Sequence, residues 1–128
     1  MISIDSFSRI PIFIQISDGM KKEIMLSIKK AGDIIPSVRE LSLNIGVNPN
    51  TVQKAYTELQ REGILIPVQG KGNVISENAY RIIKEMEINE TLSKLRENIS
   101  LLSDLDFPKE QITDITCEIY GKKEKDND

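Results

Sequence analysis

The chain has 128 residues, of which 39% are hydrophobic and 29% are charged, and its formal net charge is −3 at pH 7. This length holds one domain of ordinary size and a small appendage, and it leaves no room for an enzyme-sized module or a large ligand-binding domain. The sequence has no histidine and a single cysteine, which argues against histidine acid–base catalysis, most zinc or iron sites and an internal disulfide.

An extended arm opens the chain. Apolar and polar residues alternate over residues 1–9, a pattern typical of a segment that packs one side against the body of a domain. The apolar members are Ile2, Ile4 and Phe7. We expect these side chains to pack on the domain, and we assign the arm no part in binding.

A first helix is predicted from Pro11, which suits the first turn of a helix, up to Ala31-Gly32. Its apolar residues recur at a spacing of four and are Ile12, Ile16, Met20, Ile24 and Ile28. Off this stripe lie Lys21, Lys22, Lys29 and Lys30. We favour a solvated face for these lysines over a contribution to a basic binding surface.

A short second helix is predicted from Ser37 to Ile45. Ser37 can cap the helix, and Glu40, three residues later, can reach back to the cap amide. Gly46 then supplies the left-handed conformation that ends a helix and turns the chain. Ahead of this helix, Asp33–Ile35 is an extended piece that could pair with later strands.

A third helix, Pro49–Glu62, is predicted to begin with Asn48 as its cap and Pro49 in its first turn. The face that we expect to be buried consists of Val52, Ala55, Tyr56 and Leu59. The outer N-terminal end carries Asn50, Thr51, Gln53 and Lys54. Amide, hydroxyl and amine side chains with no acid among them are what a recognition helix uses to reach base edges and phosphates in the major groove of DNA.

A β-hairpin is predicted after this helix. Gly63 ends the helix, and two β-branched runs, Ile64–Val68 and Asn73–Ile75, flank a glycine-rich loop. The loop residues are Gln69, Gly70, Lys71 and Gly72. Glycines permit close approach of the backbone to a phosphate or to the minor groove, and the lysine adds positive charge. Helix, turn, helix and hairpin in this order predict a winged helix-turn-helix.

The order of these motifs resembles the N-terminal domain of GntR-family transcriptional regulators over about residues 9–76. The matching segments are Pro36–Leu41, Gly46–Val52, Ala55-Tyr56, Leu59, Glu62-Gly63 and Gly70–Gly72. The opening Pro11–Ile16 and the short tail are most similar to the YtrA-like branch of that family. The resemblance implies that Arg39 reaches DNA from the second helix, with pairing to Glu40 or Glu58 as the structural alternative.

The predicted DNA contacts are Ser37, Arg39, Asn48, Asn50, Thr51, Gln53, Lys54, Gln69, Gly70, Lys71 and Gly72. Many relatives carry arginine at the positions of Pro49 and Gln53, so their contacts to guanine do not carry over, and glutamine favours adenine instead. The family usually has glycine or proline within the Ser27–Ala31 region, and this sequence departs from that pattern there.

A helical hairpin is predicted for the tail. One helical pattern covers Ala79–Ser103, a turn with an aspartate cap follows at Asp104–Pro108, and a short last helix stops at Gly121, with residues 122–128 frayed. The apolar residues assigned to dimerisation are Ile82, Ile83, Met86, Leu92, Leu95, Ile99, Leu102, Ile112, Ile115 and Ile119. A hairpin this thin cannot bury them alone, so we predict a two-fold homodimer, which is also the role that the resemblance implies.

The acidity of the chain belongs to its tail. Residues 1–78 carry nine Lys/Arg against eight Asp/Glu, whereas residues 79–128 carry eight against twelve. The N-terminal part is therefore only weakly basic, and we expect specific contacts or dimer avidity to supply much of the affinity for DNA.

The sequence predicts an α+β protein, with a winged helix-turn-helix DNA-binding domain over residues 1–76 and a helical dimerisation segment over residues 77–128. The leading hypothesis is a dimeric repressor that binds a palindromic operator in double-stranded DNA. The alternative is a protein-interaction module of the same fold, which exposed apolar anchors on the third helix would favour. A nucleic-acid-modifying enzyme lacks acid–base or metal residues at a workable spacing.

We expect a cytoplasmic protein without cofactor, metal or membrane contact. No apolar run approaches the ~20 residues of a membrane span, and the first residues do not form a signal peptide. A small-molecule effector is left open, and its pocket would have to lie at the dimer interface or the domain junction.

Overall fold

The computed structural model describes residues 2–126, and within them the chain forms five helices and a two-stranded antiparallel sheet. The elements are α1 (Ile12–Met25), α2 (Val38–Ile45), α3 (Pro49–Arg61), β1 (Leu65–Val68), β2 (Gly72–Ile75), α4 (Ala79–Asp104) and α5 (Lys109–Asp126). Two compact units make up the chain: the winged unit, Met1–Glu87, and the tail unit, Ile88–Asp128. This architecture confirms the predicted winged helix-turn-helix followed by a helical hairpin.

The winged unit is built around the apolar face of α3. Val52, Ala55, Tyr56 and Leu59 are all 0% exposed, which confirms the predicted stripe at a spacing of three and four residues. Helix α1 packs on this face with Ile16, Met20 and Ile24, and the hairpin contributes Leu65 and Ile75. Because one side of α3 is wholly buried, its polar residues are confined to the opposite side.

Local capping sets the start of both helices of the helix-turn-helix. The Ser37 hydroxyl oxygen accepts the backbone N–H of Glu40 at 3.1 Å, and the Asn48 side-chain oxygen accepts that of Asn50 at 2.8 Å. Gly46 ends α2 in the left-handed conformation with a φ of 66°. All three predictions of helix ends are confirmed.

Helix α1 ends earlier than predicted, at Met25 instead of Ala31-Gly32. Ser27 takes the left-handed conformation, with a φ of 59°, in the region where relatives usually carry glycine or proline. The backbone N–H groups of Ser27 and Ile28 then donate to the last helical carbonyls, those of Ile24 and Glu23, at 3.0 and 2.9 Å. This closing turn satisfies the helix end, and it leaves Ile28 on the surface at 60% exposed.

The wing is a short hairpin with one additional bridge. Strand β1 pairs with β2 in the register Leu65 to Ile75 and Val68 to Gly72. The predicted pairing of Asp33–Ile35 is confirmed only as a single bridge, from Ile34 to Val74. Because β2 lies between this bridge and β1, β1 is an edge strand and can accommodate Pro67, which has no N–H to donate.

The N-terminal arm packs against the core with only two of its three predicted apolar residues. Ile2 and Ile4 pack against the core, but Phe7 is 97% exposed, so the prediction for Phe7 was wrong. The side-chain amide of Gln15 binds the backbone of Asp5 and the carbonyl of Ile10, which folds the arm into a loop. Within that loop the chain turns over residues 5–8 and directs Phe7 away from the core.

The tail unit differs from prediction at two helix ends. Asp106 has a φ of 58°, and its N–H donates to Ser103, so it closes α4 and does not cap α5. Helix α5 continues through Gly121 to Asp126, so the predicted stop and the fraying of residues 122–126 were wrong; residues 127–128 lie outside the described residues. A single glycine costs a helix only about 1 kcal/mol, and lysines in the last turn of α5 favour its C-terminus.

Candidate nucleic-acid interface

The outer side of α3 carries the predicted base-reading residues. Asn50, Gln53 and Lys54 are exposed and Thr51 is half-buried. Tyr56 on α3 is bound to the segment that leads into α2, because its hydroxyl donates to the Pro36 carbonyl at 2.6 Å. Burial first, and then the nearby charge of Glu40, raise the pKa of Tyr56, so this hydroxyl stays a proton donor. This hydrogen bond therefore helps to fix the position of α3 relative to the start of α2.

Arg39 on α2 is exposed and free for an external partner. Its predicted structural alternative was a pairing with Glu40 or Glu58. Glu58 instead pairs with Arg61 on the same helix, and no ion pair to Arg39 occurs within residues 2–126. The structure thus gives no support to the structural alternative for Arg39.

Ser37 and Asn48 have structural duties that limit how they could bind. Each uses its side-chain oxygen to cap a helix. The serine O–H and the asparagine NH₂ group remain as donors. Toward a phosphate, which only accepts hydrogen bonds, these residues can therefore only donate, and each side-chain oxygen keeps a second lone pair for a donor on a base.

Two neighbouring side chains on α3 already have intramolecular contacts. The Gln53 amide nitrogen donates to the Thr57 hydroxyl at 3.1 Å, and the Lys54 ammonium lies 4.0 Å from the centroid of the Phe13 ring. Gln53 keeps its amide oxygen and one N–H, which is the pair of groups that reads adenine. Sequence reasoning missed Phe13, because its contact depends on how α1 packs against α3.

The wing tip is fully accessible. Gln69, Gly70, Lys71 and Gly72 are all exposed, and the Lys71 N–H closes the turn by donating to Val68 at 3.0 Å. Gly70 has a φ of 81°, a conformation that glycine adopts without strain.

Asn73, at the base of the wing, accepts a 2.7 Å hydrogen bond from the amide of Gln60 on α3. This contact, which sequence reasoning also missed, ties the wing to α3.

Ion pairs sort the basic residues of the winged unit into two groups. Lys21 pairs with Glu62 and Lys29 with Glu23, each at 3.0 Å, which supports a structural role for two of the four lysines near α1. Basic residues without an ion pair in the described part of this unit are Arg9, Lys22, Lys30, Arg39, Lys54, Lys71 and Lys84. Three of these seven, Arg39, Lys54 and Lys71, belong to the predicted DNA contacts.

The residues predicted for dimerisation fall into two groups. Ile83 is 4% exposed, and Ile82 is half-buried against the core of the winged unit, so the burial of these two residues needs no second copy. Met86 is exposed. In the tail unit an apolar stripe on α4 consists of Ile88, Leu92, Leu95, Ile99 and Leu102. Ile88 was missed, although its spacing completes a heptad pattern. On α5, Ile115 and Ile119 are exposed and Ile112 is half-buried.

Within residues 2–126 no helix is both long and apolar enough to cross a membrane.

Comparisons with known proteins agree with this geometry. Residues 14–75 match the family described as bacterial regulatory proteins, gntR family. The chain is 41% identical over 130 residues to the HTH-type transcriptional repressor YtrA of Bacillus subtilis (strain 168), covering 98% of this chain and 100% of that protein. It is also similar to a transcriptional regulator from Oenococcus oeni, with a TM-score of 0.78 and 31% identity over 94% of this chain and 99% of the other.

A further solved structure contains DNA. The DNA-binding domain of AraR in complex with operator ORX1 matches with a TM-score of 0.52 and 26% identity, covering 58% of this chain and 92% of that domain. The relatives and the matching family are regulators, not enzymes. The full-length match to YtrA, together with the helix-turn-helix and wing, shows that the chain belongs to the GntR family of bacterial regulatory proteins.

Proposed function

We propose that the protein is a transcriptional repressor that binds a palindromic operator as a homodimer, with α3 in the major groove and the wing at the minor groove. The observation that carries this proposal is the polar end of α3, which is free of acidic side chains, together with an exposed Arg39 on α2 that has no ion pair in the described residues. Its relatives support it, because one is named a repressor and another was crystallised on its operator. Such a protein works in the cytoplasm, where bacterial DNA lies.

The alternative of a protein-interaction module receives no support from α3. Protein docking is usually anchored by aromatic and aliphatic side chains, whereas Asn50, Gln53 and Lys54 offer hydrogen bonds and charge. The DNA-binding proposal is tested by selecting duplexes from a random pool with the wild-type protein. We expect enrichment of one palindromic sequence, and failure to enrich any sequence would contradict the proposal.

Arg39→Ala tests the assignment of α2 to the interface. Because the side chain is exposed and unpaired among the described residues, its loss should leave the fold intact and lower the affinity for the selected duplex by roughly 1–3 kcal/mol. Arg61→Ala is the matched control, since that arginine is paired on α3 with Glu58. Equal affinity of wild type and Arg39→Ala would remove Arg39 from the site.

The dimer is proposed to form through the heptad stripe of α4 in the tail unit. A helix whose apolar residues repeat at a and d positions buries them best against a second helix of the same kind. The division of the chain into a DNA-binding part up to residue 76 and a dimerisation part from residue 77 stays a prediction. No effector is assigned.

Leu95→Glu tests the dimer in the full-length chain. A charge at the centre of the stripe should yield monomers at micromolar concentration and weaken operator binding, without unfolding the winged unit. Arg96→Glu changes the neighbouring residue, which lies off the stripe, and should stay dimeric. Sedimentation and operator affinity would be measured for both, and a dimeric Leu95→Glu protein would exclude this interface.

A further inference from the structure

The Lys54 ammonium on α3 lies over an aromatic ring that belongs to another helix. It lies 4.0 Å from the centroid of the Phe13 ring, which belongs to the first turn of α1. Phe13 is half-buried and packs against the core, whereas Lys54 is exposed. The ring is therefore held by the fold, and the lysine side chain rests on it.

An aromatic ring orients a lysine without cancelling its charge. Lys21 and Lys29 each lie 3.0 Å from a carboxylate, and their charges are offset by Glu62 and Glu23. Phe13 is neutral, and the ring attracts the ammonium only through its quadrupole. Lys54 therefore combines a restricted position with an undiminished positive charge, and that combination favours an incoming phosphate.

Restricting the side chain before DNA arrives reduces the loss of conformational entropy on binding. A free lysine side chain loses rotamer freedom when it is immobilised, and a lysine that already rests on a ring has less to lose. An ammonium has three N–H donors, and a ring covers only one side of it. The remaining donors can reach phosphate oxygens while the contact with the ring persists.

We propose that Phe13 is a positioning residue for DNA binding, which holds Lys54 so that its ammonium contacts a backbone phosphate beside α3. This inference rests on the proposed function, because it assumes that α3 enters the major groove. It assigns Lys54 to the phosphate backbone instead of a base edge, so its effect is the same on every DNA sequence.

The test is a double-mutant cycle on the full-length protein with Phe13→Leu and Lys54→Met. The probes are a duplex selected by the wild-type protein and a duplex of random sequence. Phe13→Leu should weaken binding to both by about two- to five-fold, because the Lys54 side chain would then have to be ordered when DNA binds. In the Lys54→Met background the same change should have no further effect on affinity.

Two further variants separate positioning from packing. Phe13→Tyr keeps the ring and should restore wild-type affinity. Ile12→Val removes one methyl group from a neighbouring half-buried residue of α1 and should lower thermal stability without coupling to Lys54. Phe13→Leu is compared with it directly. If the leucine only weakened core packing, it would lower the melting temperature by the same amount in the wild-type and Lys54→Met backgrounds.

Independent, additive effects of Phe13→Leu and Lys54→Met on affinity would overturn the inference. Tighter binding by Phe13→Leu would also overturn it, since the ring would then withhold Lys54 from DNA. If the wild-type protein bound no duplex, the proposed function would fail and this inference with it. Binding by the wild type with an uncoupled cycle would reject the positioning role alone.

Discussion

Glu23 is a carboxylate held inside the winged unit, 6% exposed, with the Lys29 ammonium 3.0 Å away. Burial by itself raises its pKa, but hydrogen bonds and charge from positive neighbours, Lys29 among them, outweigh burial and lower the pKa below 4.5. Because the pKa of Glu23 is lower in the folded state than in the unfolded chain, its ionised carboxylate stabilises the fold at pH values above the unfolded-state pKa. That contribution is lost as the pH falls through the folded pKa.

Glu23→Gln should therefore flatten the pH dependence of stability on the acid side. The wild type should lose free energy of unfolding as the pH falls below about 4.5, and the variant should lose less of it. Urea unfolding of both proteins across this pH range measures the difference. Glu85→Gln, an exposed carboxylate on α4, is the control and should follow the wild-type curve.

Tyr56 couples α3 to the segment just before α2 through one hydrogen bond, 2.6 Å from its hydroxyl to the Pro36 carbonyl. Tyr56→Phe leaves that carbonyl without this donor, and we expect a loss of roughly 1–2 kcal/mol in the free energy of unfolding. Tyr80→Phe, at an exposed tyrosine, should change stability little. Chemical denaturation of both variants tests the difference, and equal stabilities would show that the Pro36 carbonyl finds another donor.

At the scale of elements, the ends of the helices show what a sequence can predict. The caps by Ser37 and Asn48 were predictable because each depends on residues two or three positions away. Gly121 was misjudged because one weak helix former is outweighed by the residues around it. Phe7 was misjudged because the amide of Gln15, ten residues from Asp5, shapes the arm.

The same distinction applies to the candidate site. The exposed residues of α3 could be predicted, since their positions follow from which face of one helix is apolar. The contact of Lys54 with Phe13 and the bond from Gln60 to Asn73 could not. Both join different elements, and their geometry is set by packing that no local pattern encodes.

Ser27→Gly tests the unexpected end of α1. Serine pays a steric cost at a φ of 59°, and glycine does not, so the variant should raise the free energy of unfolding by up to about 1 kcal/mol. Ser27→Val, with a branched side chain, should lower it. Thermal unfolding of the three proteins gives the order, and a destabilised glycine variant would show that the serine side chain itself supports the turn.

Lys71→Ala tests the wing. The Lys71 side chain stands at an exposed turn and has no ion pair in the described residues, so we expect it to contact the DNA backbone. Its loss should weaken binding to every sequence and reduce the slope of log affinity against log salt by about one for each copy bound. Lys84→Ala, on α4, is a control for the general loss of one charge. An unchanged slope for Lys71→Ala would place the wing away from the backbone.

At the scale of the whole molecule, the winged domain has little net charge with which to attract DNA. Residues 1–78 carry nine basic against eight acidic residues, so a single copy has weak non-specific attraction to DNA. Linking two copies raises the effective concentration of the second domain at its half-site, and no further contact is required. The proposed dimer therefore belongs to the binding mechanism itself.

The spacing of the two half-sites should then be as important as their sequence. In a dimer the two copies of α3 meet half-sites that lie about one helical turn apart, on one face of the duplex. Inserting about five base pairs between the half-sites turns the second one to the opposite face, and affinity should fall to that of an isolated half-site. The Leu95→Glu protein, as a monomer, should bind the original and the expanded operator equally. Binding assays with both proteins on both duplexes test the argument, and a wild-type affinity that ignored the insertion would mean that each copy binds alone.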